Sequence, residues 1–370
     1  MASLNAQSCD ALIALFERDG YARVEPPILQ PSDVFIDLSG EDIRRRMFVT
    51  QDADGHELCL RPDYTIPVCR QHLAAAASTP ASYSYLGPVF RLRKGETGEF
   101  PQAGVESVGR ADRSAADAEI LGLALEGLGR LGLKDAAVKV GDMGLFGALL
   151  DALRIAPAAK RRVMRAIVSG RGLDGLGEPD AGPGLTEHAG LLAAIEGQDP
   201  RAVRAFVEDI IAIAGISRVG GRSAGEIAER FLARAANPSG GLPDEARAVL
   251  RRYLSITGDP DTAVAVIRSL AREAGLDVSA ALDTFEERTG FTAAQGLDVS
   301  GFSFAADFAR NLDYYTGFIF EIRDARRPDG ELLVGGGRYD RLLQHLGAGE
   351  PIQAVGCSFW LDRIAAGGTP

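Results

Sequence analysis

The sequence predicts an α+β chain, an antiparallel sheet flanked by helices and interrupted by a mostly helical insertion. Strand-like alternation comes in neighbouring segments joined by short turns, at residues 48–51, 57–61, 82–93 and 104–109, with Gly55 and residues 95–98 as turn signals. Helical periodicity appears beside them, and the composition shifts after about Leu150. Short strand-to-strand turns argue against regular βαβ winding.

In chain order, residues 8–18 place Cys9, Leu12, Ile13 and Phe16 at helical spacing, and Gly20 supplies the stop. Residues 21–29 alternate as a strand until Pro26 and Pro27, which suits an edge or an interface. After the first strands, residues 117–131 form an amphipathic helix and 137–140 another strand. Residues 151–257 are rich in Ala, Arg, Leu and Gly, with Val203, Phe206, Val207 and Ile210 as a helical stripe and Gly/Pro breaks at 169–185 and 237–243. The segment reads as a helical insertion. Helices at 262–274 and 278–288 and strands at 302–306 and 318–323 follow. The expected core is discontinuous, 1–150 with 258–370, around an insertion at 151–257.

Composition narrows the function. Among 370 residues, 40 Lys and Arg face 51 Asp and Glu, giving a net charge of −11. That balance opposes a broad nucleic-acid surface, which needs clustered cations, though it allows a local cationic pocket. The four cysteines, Cys9, Cys59, Cys69 and Cys357, lack CxxC spacing and do not group with the four histidines, so no metal is expected. Cys59 and Cys69 lie in apolar surroundings and read as free buried thiols. No run approaches the roughly 18 apolar residues of a membrane span. The start shows no basic region followed by an apolar stretch. The expected location is cytoplasmic.

The chemistry-bearing motifs concentrate late in the chain. Arg310-Asn311-Leu312-Asp313-Tyr314-Tyr315 is followed by Gly335-Gly336-Gly337-Arg338-Tyr339-Asp340 and by Val355-Gly356-Cys357-Ser358-Phe359-Trp360-Leu361-Asp362-Arg363. Earlier come Leu60-Arg61-Pro62-Asp63-Tyr64-Thr65, Phe90-Arg91-Leu92-Arg93 and Gln102-Ala103-Gly104-Val105-Glu106. An amino-acid ammonium wants a carboxylate and a hydroxyl as acceptors, which Asp63 and Thr65 offer. The three glycines at 335–337 lack the GxxxxGK[ST] form of a phosphate loop and suit close backbone packing instead.

Together these segments resemble the histidyl-tRNA synthetases, which implies a class II aminoacyl-tRNA synthetase-like fold. In that resemblance residues 20–31, with Pro27, match the first class motif, a dimer-interface element. Residues 85–106 match the second motif, whose Arg91 would meet the ATP α-phosphate, and residues 356–363 the third, with Arg363 at its ATP-binding arginine. The likeness covers roughly residues 10–145 and 260–366. The departures are specific. Arg93 stands where the synthetases carry a glutamate, and the spacing from Arg91 to Glu106 is shorter. Tyr64 and Asn311 replace glycines, Asp63 and Asp362 replace glutamates, and Trp360 replaces a glycine. An indole of roughly 150–250 Å² in place of a hydrogen would fill space beside a nucleotide. No anticodon-binding domain is expected after Arg363.

This combination, with the Leu-Arg-Pro-Asp form and a Leu-Asp-Arg ending, is most similar to the regulatory subunits of ATP phosphoribosyltransferase, synthetase paralogues of histidine biosynthesis. The resemblance implies a chain with no catalytic residues and no cofactor, working with a catalytic short-form ATP phosphoribosyltransferase subunit in a hetero-oligomer. It also implies a homodimer through the class II core and feedback inhibition with L-histidine as effector. By resemblance, Asp63, Thr65 and Gln102 would take the histidine ammonium and Arg310 the carboxylate. Glu106 and Tyr315 would hold the ring nitrogens, and Arg91 and Tyr314 complete the site. Two alternatives stay open: a histidine-activating enzyme, favoured by Arg91 and Arg310 and opposed by Arg93 and Trp360, and a tRNA-binding factor, opposed by the acidity.

Overall fold

A computed structural model describes residues 6–38, 43, 45–133, 135–173, 242–310, 314–327 and 330–367. The chain divides into two compact units. One comprises Met1–Arg154, Ile167–Gly170 and Ala248–Pro370, the other Ile155–Ala166 and Arg171–Arg247.

The first unit opens with α1 (Ala6–Arg18), whose Leu12, Ile13, Leu15 and Phe16 are buried. Gly20, at φ +86°, takes the left-handed conformation that ends the helix. The expected strand over 21–29 is instead two short ones, β1 (Ala22–Arg23) and β2 (Leu29–Pro31). Pro26 and Pro27 have no N–H for a ladder, so pairing stops between them. After α2 (Ser32–Leu38) come β3 (Val49–Gln51) and β4 (Glu57–Leu60), which join β2 in a three-stranded sheet of order β2-β4-β3. Helix α3 (Thr65–Ala74) follows.

The long hairpin β5 (Ala81–Phe90) and β6 (Glu99–Val108) starts the main sheet, pairing from Ala81↔Val108 to Phe90↔Glu99. Helix α4 (Arg113–Arg130), β7 (Ala136–Asp142) and α5 (Met143–Ala152) come next. After α6 (Pro157–Val168) and α7 (Asp244–Leu254), the chain adds β8 (Thr257–Gly258), α8 (Pro260–Glu273), α9 (Ser279–Ala294) and β9 (Ser303–Ala305). It ends with β10 (Phe318–Asp324), β11 (Val334–Arg338), α10 (Leu342–His345), β12 (Ala354–Trp360) and α11 (Leu361–Gly367). The described main sheet has nine strands in the order β1-β5-β6-β12-β11-β10-β7-β9-β8. It is antiparallel as expected through its centre, with parallel pairs only at β1–β5 and β7–β9.

The order puts the late motifs in the middle of the sheet. β10, β11 and β12 are almost wholly buried, which explains their run of apolar and glycine residues. A Cβ at Gly335 would stand 1.8 Å from Arg310 Nη1, and one at Gly356 would stand 1.7 Å from Glu106 Oε2. Only glycine lets those two side chains lie across the strands.

Helices α4 and α9 reach the sheet through buried ion pairs. Asp117 meets Arg338 at 2.7 Å and Arg288 at 3.5 Å, and Arg288 meets Asp142 at 2.6 Å. Of the second unit, 155–166, 171–173 and 242–247 are described, including most of α6 and the start of α7, all within the expected segment 151–257. Most of that insertion, 174–241 with its stripe at Val203–Ile210, lies outside the described residues. No helix among the described residues is long and apolar enough to cross a membrane.

Candidate functional site

A cavity of about 290 Å³ opens where the β4–α3 turn, the β5–β6 hairpin, the segment before β10 and strands β11 and β12 converge. That volume lies near the lower end of small-molecule sites, roughly 300–1,000 Å³. Seven of the eight expected site residues line it: Asp63, Thr65, Arg91, Gln102, Arg310, Tyr314 and Tyr315.

The β4–α3 turn supplies Asp63 and Thr65. Asp63 Oδ1 accepts from Ile66 N at 3.2 Å, capping the first turn of α3, while Oδ2 is buried without a hydrogen-bond partner. Burial raises the pKa of this carboxyl, and the Arg91 guanidinium pulls the other way. Gln102 sits on β6 opposite Trp360 of β12, 1% exposed, and its Oε1 is also unpartnered. Two buried acceptors there thus have no donor from the protein itself, the kind of group that is costly to leave unpaired.

Arginines face them. Arg91 Nε donates to Pro62 O at 2.6 Å, and burial lowers its pKa to about 10 against the pull of Asp63. Arg310 donates from Nη1 to Phe320 O at 3.2 Å, and its Nε is buried and unpartnered. Its guanidinium stands 5.8 Å from the Trp360 ring and 6.0 Å from Tyr315.

Glu106 behaves differently from the expectation of direct ring contact. It is fully buried and absent from the cavity wall, tied to the hydroxyls of three other residues. Thr65 Oγ1 donates to Oε1 at 2.7 Å, Tyr85 OH approaches it at 3.4 Å, and the Tyr339 hydroxyl donates to Oε2. Burial pushes this carboxyl up to about 8, opposed by those hydrogen bonds. Thr65 and Tyr339 do line the cavity, so Glu106 reaches it through their hydroxyls. Tyr314 packs against Tyr315 at 5.0 Å and edge-on to Tyr339 at 5.7 Å, which fixes this aromatic wall.

The departures at 93 and 362 meet one another, and Trp360 shares their Phe100 neighbour. Arg93 pairs with Asp362 at 2.9 Å and Glu96 at 2.7 Å, with its guanidinium 3.9 Å over the Phe100 ring. Trp360 is 6% exposed and packs with Tyr64, Tyr85 and Phe100. Tyr64, at another replaced glycine, stacks on Tyr85 at 4.3 Å in space left by Gly87. Sequence reasoning did not single out Arg46, Glu321, Tyr339 or Ser358, which share the wall. Tyr339 lies within a quoted motif and was legible, whereas Arg46 belongs to the run Arg44-Arg45-Arg46, which reads as a solvated surface.

Known proteins resemble this chain in sequence and in fold. The family model for histidyl-tRNA synthetase matches residues 2–206 and 224–364. Among solved structures, an ATP phosphoribosyltransferase regulatory subunit/histidyl-tRNA synthetase from Bacillus halodurans superposes with a TM-score of 0.69 at 22% identity. It covers 98% of this chain and 79% of that one. A histidyl-tRNA synthetase from Nostoc gives 0.65 at 16% identity, over 99% of this chain and 72% of that one. The core is thus a histidyl-tRNA synthetase-like class II fold. ATP phosphoribosyltransferase regulatory subunits of Brucella canis and Brucella suis are each 41% identical over 352 residues, 93% of this chain and 92% of theirs. The chain belongs to the family of ATP phosphoribosyltransferase regulatory subunits.

Proposed function

We propose that this chain carries out no chemistry of its own and makes a short-form ATP phosphoribosyltransferase, a glycosyltransferase, active and responsive to histidine. The partner would condense ATP with phosphoribosyl pyrophosphate in the first step of histidine biosynthesis, in the cytoplasm. One observation carries the ligand assignment. The cavity holds two buried orphan acceptors, Asp63 Oδ2 and Gln102 Oε1, together with the orphan donor Arg310 Nε. That is the complement of an α-amino acid, ammonium against carboxylate and carboxylate against guanidinium.

In this reading Asp63, Thr65 and Gln102 take the ammonium, Arg310 takes the carboxylate, and Arg91 favours the ionised form of Asp63 against the effect of burial. The ring nitrogens meet Tyr315 and the hydroxyl cluster around Glu106, while Tyr314 keeps that wall in place. Feedback then requires histidine to favour one state of the assembly, by a coupling of about 1–3 kcal/mol in typical cases. A homodimer would form through the class II core at residues 20–31, and 151–257 would be an insertion in that core.

The second reading is histidine activation, favoured because Arg91 and Arg363 line the same cavity. Against it, Arg93 covers the Phe100 face and is locked to Asp362. Even about 1 Å of misplacement in an activation complex can cost 100-fold. The test assays a short-form transferase with and without this chain, and the chain alone for histidine-dependent pyrophosphate exchange with ATP. Stimulation, histidine inhibition that needs this chain, and no exchange are expected. Robust exchange, or an indifferent transferase, would overturn the proposal.

A further inference from the structure

Three arginines are buried among the described residues, and two of them sit against aspartates: Arg338 on Asp117, and Arg288 on Asp117 and Asp142. Arg61 is the exception. It is 2% exposed and makes no ion pair with any described residue, although a buried cation without an anion is costly. Its guanidinium is taken up by neutral acceptors instead. Nε donates to Pro88 O at 2.9 Å, Nη1 to Pro26 O at 2.5 Å and Nη2 to the Tyr64 hydroxyl at 2.5 Å. The same group lies 4.0 Å over the Tyr64 ring.

Those acceptors come from three places, the segment before β2, strand β5 and the turn after β4. Arg61 opens that turn, and its backbone is held as well. Arg61 N donates to Ile28 O at 2.8 Å, and Phe90 N donates to Arg61 O at 3.0 Å. The hairpin reciprocates, since Arg91 Nε donates to Pro62 O at 2.6 Å. Turn and hairpin thus each send an arginine to a proline carbonyl of the other, and the turn so clasped carries Asp63 and Thr65.

Neither Arg61 nor Tyr64 lines the cavity, whereas Asp63 and Thr65 do. The pair therefore reaches a ligand only through the turn. Tyr64 is fixed from its other face too, stacked on Tyr85 at 4.3 Å with the ring planes 6° apart. A Cβ at Gly87 would stand 2.2 Å from the Tyr64 hydroxyl and 3.3 Å from Arg61 Nη2, so this close approach requires glycine. A glycine at 64 would supply neither the hydroxyl nor the ring. A lysine at 61 would keep the charge, but its ammonium is a point donor and cannot span three separated acceptors as a fork does.

We propose that Arg61 is a positioning residue: with Tyr64 it sets the 62–65 turn so that Asp63 and Thr65 face the cavity, and the site needs the shape of its guanidinium rather than its charge. The inference deepens the amino-acid assignment and rests on it for the identity of the ligand. Groups that hold a ligand keep their geometry only when neighbouring hydrogen bonds and packing lock them, which is what this clasp supplies.

Histidine calorimetry and amide hydrogen exchange on the full chain test this with Arg61→Lys and Tyr64→Phe. Arg61→Lys should weaken histidine about tenfold or more, the scale of a lost hydrogen bond to a charged group. It should also speed exchange at the Ile66 and Val68 amides, which Asp63 Oδ1 and Tyr64 O accept from, while β10, β11 and β12 keep native protection. Tyr64→Phe, which removes one acceptor and keeps the ring, should show the same pattern in smaller measure. Native histidine affinity in a folded Arg61→Lys protein overturns the proposal, because charge alone would then suffice. Protection lost equally across β10, β11 and β12 overturns it too, because Arg61 would then support the fold at large. If Arg61→Lys does not fold, Tyr64→Phe is judged by the same two readouts, and native values in both overturn the proposal. A native protein that binds no histidine overturns the ligand reading, and exchange at Ile66 and Val68 then decides the positioning role by itself.

Discussion

At Arg310 a half-buried guanidinium donates to Phe320 O from Nη1 and keeps Nε without a partner, above a strand whose Gly335 leaves it room. If it holds the ligand carboxylate, Arg310→Ala should weaken histidine binding by about 1.5–3 kcal/mol, the range for hydrogen bonds to charged groups. Gly335→Ala should do similar damage from beneath, since its Cβ would occupy the guanidinium's place. Calorimetry on both variants checks this, and unchanged affinity in both would move the carboxylate elsewhere. Glu106 makes a pH prediction. Its folded pKa, about 8, lies above its ordinary value of 4.5, chiefly because of burial. Between those values the folded protein keeps a proton that the unfolded chain has released, so this group's contribution to stability falls as pH rises and levels off above about 8. Glu106→Gln removes the titration, so its melting temperature should gain on the native protein from pH 5 to pH 8. Melting curves that stay parallel across that range would show that Glu106 is not held protonated. The sequence made most of this wall legible because its cavity-lining residues come in fixed order within short motifs. It missed Arg46, whose three-arginine run carries no sign of burial. It also placed Glu106 in direct contact, because the intervening hydroxyl of Tyr339 arrives from a distant segment, just past the end of β11.

The elements that hold the wall are tied together from behind by charge. Arg338, at the end of β11, binds Asp117 of α4, and Arg288 of α9 reaches both Asp117 and Asp142, the cap of α5. Asp117→Asn should cost about 3–5 kcal/mol, because removing one partner leaves buried guanidinium charge uncompensated. Denaturant unfolding measures the loss directly, and a change under 1 kcal/mol would mean the network is solvated in practice. Strands and helices with clear period were readable, as α1, α4, α8 and β10 show. Helix α3 was not, because Thr65, Ile66, Pro67 and Val68 favour extended structure locally. Its helix is set by the Asp63 cap and by burial of Ile66, Val68 and Cys69 in two clusters, and Pro67 sits in the first turn where no N–H is needed. Strand β11 was equally opaque, since three glycines have no intrinsic strand preference. They are strand because β10 and β12 pair with them on both sides.

For the whole molecule the open question is what covers the small sheet. β2 and β3 are its two edges, and Ile28, Leu29 and Val49 there are 41%, 50% and 53% exposed. Exposed apolar edge strands invite pairing with another chain unless something blocks them, and no charge lies within β2. Ile28 and Leu29 fall within residues 20–31, the segment matched to the class II dimer motif, so a second copy of this chain is the proposed cover of that edge. An isologous interface places each residue opposite the same patch of its partner. A charge introduced there enters the interface from both subunits, so one substitution acts twice. Leu29→Glu should therefore shift sedimentation from dimer to monomer at micromolar concentration. Its histidine affinity should be preserved, because Leu29 does not line the cavity. Loss of histidine binding alongside dissociation would instead show that the site is completed across the two-fold. A native protein that sediments as a stable monomer would remove the homodimer altogether and leave the catalytic partner as the candidate for that surface.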